Sequence, residues 1–386
     1  MSISSQLRFS DSESFRLFTE GVEQLQSYEI SAKGGSLEKA AVKLAECVRN
    51  YPDVLPRLYL GIVRAEQGEE PDEAAELLHE VLDRNVPELS ATAKYYLAEV
   101  YISKYTTADI TRADQLLQEL ESDKTANAND LAQVQLGSQG LRAFIYIREE
   151  LWTKRNKKEF LSREHARAVE LLQKFDTALT EAKIPPDLRS SLEADYENAW
   201  GLLKEYEAHR AASDPDKKKL IQESLDAFEK AGRYGANRAD AKSNQARVYF
   251  ELLKDENNAA RLCQEVLGIR KDDSLAHLLL GKIDEPTRPG DAVRHYEKAQ
   301  AKFFGAALGA GRCYEKLGAL PRALREYIKV PDSYHGFGEA SFHIAAIYEH
   351  LGKIDDALEF YRKVPAESEE FFPKAQHAIK TLDTQN

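Results

Sequence analysis

The chain has 386 residues, 42% of them hydrophobic and 31% charged, so it can bury a core and is not disordered by composition. No run of eighteen apolar residues occurs, which argues against a membrane-spanning helix, and the N-terminus lacks the basic start and apolar stretch of a secretory signal. The net charge of −12 argues against non-specific binding of nucleic acid or anionic membrane by the molecule as a whole, while leaving room for a local basic patch.

In chain order, residues 1–14 are polar and read as an N-terminal tail, and 15–30 have the composition of a first helix. The recurrent element after that is a small residue with apolar residues four and seven positions later, which is one face of a helix. It occurs at Ala40/Leu44/Cys47, Ala74/Leu78/Val81, Ala113/Leu117/Leu120 and Ala168/Leu172/Phe175. A looser version, Ser224/Phe228/Ala231, is followed by Ala259/Cys263/Val266, Ala292/Tyr296/Ala299, Ala323/Tyr327/Val330 and Ala357/Tyr361/Val364. The leading residues are spaced 34, 39, 55, 56, 35, 33, 31 and 34 apart, so both ends keep a period that the middle does not. The two long intervals predict longer helix pairs, 131–154 with 162–183 and 188–212 with 216–233.

The period is plainest near the C-terminus. "YEKLGALPRALREYIKVP", residues 314–331, and "YEHLGKIDDALEFYRKVP", residues 348–365, are identical at ten of eighteen positions in register. Gly318 and Gly352 permit a left-handed turn after a first helix, Ala323 and Ala357 let two helix backbones approach, and Pro331 and Pro365 stop the second helix. Beyond them, Ala307, Ser341 and Ala375 continue the 34-residue spacing, and the chain then ends without another second helix, as a capping helix does.

This pattern resembles the tetratricopeptide repeat, a 34-residue helix–turn–helix unit. First-helix features match as well, at Leu60-Gly61, Leu97-Ala98 with Tyr101, Ala246 with Tyr249, Leu280-Gly281 and Gly311 with Tyr314. The resemblance is close over 40–130 and 235–365 and general over 131–234. It implies an all-α fold, a right-handed superhelical α-solenoid of about nine helix–turn–helix hairpins with a C-terminal capping helix. The implied layout is a tail (1–14), an N-terminal array (15–130), divergent long hairpins (131–234), a C-terminal array (235–365), and a capping helix with tail (366–386). The resemblance also implies a non-enzymatic scaffold or adaptor that binds a protein or peptide in a concave groove lined by the first helices.

Motifs for chemistry are wanting. The sequence has no GxxxxGK[ST] phosphate loop, HExxH, GxSxG elbow or calcium loop. "SLEK" at 36–39 has the letters of a serine–lysine nucleophile, but it opens a helix for which Ser36 is a natural N-cap. "GAALGAG" at 305–311 follows no strand. His343 and His350 lie seven apart, roughly 10 Å along a helix, too far to share an ion by themselves. Cys47, Cys263 and Cys313 form no CxxC pair and suit buried thiols in a reducing compartment. No catalytic, cofactor-binding or metal-binding residue is therefore assigned, no enzyme activity is expected, and a cytoplasmic location is.

Two charge features point to partners. In the repeat family the residue after the small one of the first helix faces the groove, and here three such residues are Arg247, Lys282 and Arg312, with Ile62, Glu99 and Ala346 elsewhere. A basic stripe of this kind suits an acidic peptide or a free C-terminal carboxylate; the same cations can also pair with Glu315, Glu349 or Asp240 between repeats. Asn244 falls where the family's two-carboxylate clamp would place one, but Ser243, Leu278, Leu279, Leu308 and Gly309 do not follow that pattern. The second feature is the basic stretch 152–167, whose Lys154, Arg155, Lys157 and Lys158 form a weaker candidate patch. It supports an alternative role as a regulatory or sensor subunit, in which 131–234 recognises an acidic ligand or nucleic acid.

Overall fold

The computed structural model describes residues 12–31, 34–51, 53–67, 70–104, 107–122, 128–151, 162–233, 238–299, 303–332 and 334–384. Among them every regular element is helical and no strand occurs. The chain forms two compact units, Met1–Val248 and Tyr249–Asn386.

The first unit contains α1 (Ser12–Ser31), α2 (Gly34–Asn50), α3 (Val54–Gln67), α4 (Pro71–Asp83), α5 (Pro87–Lys104) and α6 (Thr107–Ser122). These are followed by α7 (Ala128–Tyr146), which runs into a π-helical turn (Ile147–Leu151), then α8 (Ser162–Glu181), α9 (Pro186–Arg210), α10 (Asp214–Ala231) and α11 (Arg238–Val248). The second unit opens with a π-helical turn (Tyr249–Leu253) and α12 (Glu256–Ile269). It continues through α13 (Ser274–Asp284), α14 (Pro289–Ala299), α15 (Phe304–Lys316), α16 (Leu320–Ile328), α17 (Phe337–His350), α18 (Ile354–Arg362) and α19 (Phe371–Asp383). Successive helices within each unit pack on one another as hairpins.

Local sequence accounts for the helix ends. Ser213, Asp255 and Asp273 cap α10, α12 and α13 by accepting from the amides of Asp216, Asn258 and Ala276. Proline opens α4, α9, α10 and α16, where its missing N–H costs nothing. Gly318 and Gly352 close α15 and α17 with φ +71°, a value that an L side chain rarely adopts. Helix α2 begins at Gly34, so Ser36 lies within its first turn and is not its N-cap.

The nine triads read from the sequence lie on the nine second helices, α2 to α18 in even numbers, or just past the ends of α16 and α18. The leading small residue of each triad is 0% exposed, and none of the other eighteen residues exceeds 3%. Each fully buried large apolar side chain contributes about 1.5–3 kcal/mol, so these positions carry much of the stability of the array. They pack into spaces left by small residues on the first helices. A Cβ added at Gly140 would lie 2.8 Å from the Phe175 ring, and one at Gly201 would lie 2.6 Å from Phe228. The long hairpins of the middle thus use the same fit as the regular repeats.

Ser224 departs from alanine for a visible reason: its Oγ donates to the Gly201 carbonyl across the α9–α10 contact at 2.9 Å. Ser224→Ala is expected to cost about 1 kcal/mol, and Ser224→Leu about 1–3 kcal/mol through overpacking. Thermal unfolding followed by circular dichroism would rank the two.

The long pairs predicted at 131–154/162–183 and 188–212/216–233 correspond to α7/α8 and α9/α10. The compact units divide at Val248/Tyr249, one helix later than the 234/235 boundary read from the sequence, because α11 packs on α9 and α10. In the second unit, α19 buries Ala375 and Leu382 and exposes Lys374, His377 and Lys380, a polar outer face over the last apolar layer.

Candidate partner-binding faces

In the second unit the first helices α13, α15 and α17 are tied side to side by charge. Arg312 on α15 donates from Nε and Nη2 to the two carboxylate oxygens of Glu285, at 2.6 and 2.9 Å, and from Nη1 to Glu339 on α17 at 2.7 Å. Glu285 also accepts from the Tyr296 hydroxyl at 2.7 Å. Burial alone would raise the Glu285 pKa, but the guanidinium beside it holds it below the ordinary carboxylate value. Burial likewise opposes the charge on Arg312, and its hydrogen bonds to Glu285 outweigh that and raise its pKa.

One repeat further on, Glu315 accepts from the Tyr327 hydroxyl at 2.9 Å and lies 2.9 Å from His343 Nδ1. The His343 ring stacks on Tyr327 with centroids 5.3 Å apart. The hydrogen bond from His343 lowers the Glu315 pKa against the opposing effect of burial. Tyr361 donates to Glu349 at 2.7 Å in the following repeat. A second-helix tyrosine donating to a glutamate at the end of its own first helix is thus a recurrent lock, at Tyr296–Glu285, Tyr327–Glu315 and Tyr361–Glu349.

Lys282 is the most open of the three cations that the sequence places at groove positions. Its side chain is 38% exposed, its Nζ is 4.0 Å from Glu251, and it lies over the Phe250 ring at 5.9 Å. Arg312 is 31% exposed. His343 is turned inward to Glu315 while His350 is exposed, so these two histidines form no common site.

Arg247 belongs to the first unit, where its side chain is 5% exposed against a fully buried Glu205. It donates to both carboxylate oxygens, at 2.8 and 2.5 Å, and through Nη1 to Asn244 Oδ1 at 2.8 Å. Asn244 in turn donates to Asn198 Oδ1 at 2.8 Å. The result is a polar chain joining α9 to α11. Glu99 on α5, another groove position in the sequence reading, is half-buried; burial, then Glu66 and Asp195, push its pKa well up. Lys154, Arg155, Lys157 and Lys158 fall outside the described residues.

The carboxylates that hold Arg312 are not the acids suggested by sequence. Glu315 and Glu349 bind tyrosines, and the carboxylates that hold Arg312 lie 27 residues away on either side. Sequence reasoning also missed a hydrogen-bonded histidine pair, His277 and His295, which face each other across the α13–α14 hairpin. Their separation of 18 residues carries no motif.

Two family models, both described as tetratricopeptide repeat, match residues 58–104 and 339–367. No curated protein sequence matches the chain. Among solved structures, MamA is 21% identical, with 42% of this chain and 99% of that one covered and a TM-score of 0.34. The human IFIT1 dimer with PPP-AAAA is 16% identical, covering 86% and 69%, with a TM-score of 0.44. The Cut9–Hcn1 hetero-tetramer of the APC/C is 12% identical, covering 96% and 96%, with a TM-score of 0.38. Both family matches fall on hairpins whose second helices carry the buried triads, so tetratricopeptide repeats are present at 58–104 and 339–367 within an all-α chain of stacked hairpins.

Proposed function

We propose that the chain is a non-enzymatic scaffold that holds a protein or peptide on the exposed face of its first helices, with Lys282 and Arg312 as contacts for an acidic group. The observation that carries this reading is the posture of Arg312. Two carboxylates fix its guanidinium while it keeps partial exposure, and on the neighbouring first helix Lys282 is more open still. Side chains already held in place lose little freedom on binding, and an exposed lysine ammonium beside them is a second donor to a partner's carboxylate. Arg247 acts behind the surface in this proposal, as the anchor between α9 and α11. The buried free thiols Cys47, Cys263 and Cys313 support a reducing, cytoplasmic setting. Among the described residues no helix is long and apolar enough to cross a membrane.

The test is co-purification from the source cell, followed by titration of the purified partner against wild type and Lys282→Glu. Charge reversal at Lys282 is expected to weaken binding about tenfold, about 1.4 kcal/mol, with a steeper loss at low salt. A partner that binds both forms equally would remove Lys282 from the contact. A partner that proves to be RNA would favour the sensor reading.

A further inference from the structure

The pair His277 and His295 has a hydrogen-bonding pattern with one solution in the neutral state. His277 Nε2 lies 2.9 Å from the Lys271 carbonyl, an acceptor only, so this nitrogen carries the proton. His277 Nδ1 is then a lone pair, and His295 Nδ1, 2.9 Å away, is the donor between the rings. That leaves His295 Nε2 without a proton, facing Asp284 Oδ2 across 3.9 Å. Asp284 is 5% exposed, and its other oxygen takes Arg288. A cavity of about 330 Å³ opens beside this gap, with Asp291 and Arg294 on one wall and Ala260, Gln264 and Leu267 of α12 on the other. An acceptor thus faces a carboxylate, and water can reach the space between them.

We propose that His277, His295 and Asp284 form a proton-operated latch between α13 and α14, closed while the histidine pair is neutral and opened in acid by a second proton. The first proton from solvent goes to His295 Nε2, the one open nitrogen, where Asp284 stands ready to accept it. The second has only His277 Nδ1 to go to. It displaces the bond from His295 Nδ1 and sets two imidazolium rings face to face on adjoining helices. Lys298 adds to the repulsion at both rings, while Asp272 and Asp273 near His277, and Asp284 and Asp291 near His295, oppose it. Burial outweighs these acids, and both histidines are held below their ordinary value. An unfolded chain binds these protons near pH 6.5. The stability that the neutral pair contributes is therefore complete above about pH 6.5 and is lost as pH falls through the lowered folded values.

The latch adjoins the groove network through the backbone. Asp284 precedes Glu285, which holds Arg312, and His295 precedes Tyr296, which donates to Glu285. Opening α13 from α14 would loosen Arg312, and that consequence for a bound partner rests on the proposed function, whereas the latch itself does not.

Ring-nitrogen NMR of the full chain between pH 8 and pH 5 tests it, with His277→Gln and His295→Gln used for assignment. At pH 7.5 His277 is expected as the Nε2–H tautomer and His295 as the Nδ1–H tautomer, titrating as a coupled pair below the exposed histidines. Between pH 7.5 and pH 5 the wild type should lose about 2–4 °C more in Tm than His295→Gln, whose amide still donates to His277 without titrating. The proposal is overturned by the opposite tautomers or by two independent titrations at the ordinary histidine value. An equal acid loss of Tm in the variant also overturns it. So does a spectrum that changes when a chelator is added, since the gap would then hold a metal. If a variant fails to fold, the wild-type ring spectra alone decide. A latch that titrates as expected while Lys282→Glu leaves partner binding intact would remove Lys282 from the proposed contact and spare the latch.

Discussion

Arg247→Met is expected to destabilise the first unit by about 3–5 kcal/mol, the cost of stranding a buried carboxylate. Glu205 is fully buried, and Arg247 satisfies both of its oxygens, so removing the guanidinium leaves a charge with neither water nor its counter-ion. Asn244 loses its donor from Arg247 at the same time. The double change Arg247→Met with Glu205→Leu removes both charges and is expected to recover most of the loss, because apolar replacement of a buried pair is often neutral. Hydrogen exchange resolved along the chain is the appropriate measurement, since a repeat array need not unfold in one step. Protection should fall first in α9 and α11 of the single variant. A single variant as stable as wild type would show that the pair contributes nothing.

Gly311→Ala is the second large effect. A Cβ there would lie 2.5 Å from Tyr327 Cε1, inside any real contact, and the ring is fully buried, stacked on His343 and donating to Glu315. It cannot swing aside without breaking that hydrogen bond. We expect a loss of about 1–3 kcal/mol, even though alanine in a helix is ordinarily favoured over glycine by about 0.5–1 kcal/mol. Gly290→Ala is the control, because a Cβ added near the start of α14 meets nothing within 4 Å. It should be neutral or slightly stabilising. Urea unfolding of the two variants side by side separates packing from backbone preference, and equal midpoints would remove the Gly311–Tyr327 contact from the account.

The second-helix triads were legible because their physics is local: a small residue and two apolar ones share a face whatever their neighbours do. Even Ser224, the loosest match, lies on that face, and its hydroxyl finds the Gly201 carbonyl. The charges were less legible. Arg247 has the register of a groove residue, yet its partner Glu205 lies 42 residues back in the long hairpin α9/α10, where the 34-residue ruler fails. Arg312 binds Glu285 and Glu339, each 27 residues away, while Glu315 and Glu349 accept from the tyrosines of their own hairpins. The π-helical turns at Ile147–Leu151 and Tyr249–Leu253 left no trace in the pattern, since one extra residue in a turn shifts the register without changing residue type.

The tyrosine–glutamate locks also bear on how the second unit folds. Each joins residues only 11 or 12 apart, so it can form while the rest of the chain is still random, at the small entropic cost of closing a short loop. The Arg312 links span 27 residues in either direction and join one hairpin to the next. Contacts this local favour rapid folding from several starting points. They also allow the unit to open one hairpin at a time, so that a segment can be lost to proteolysis while its neighbours persist.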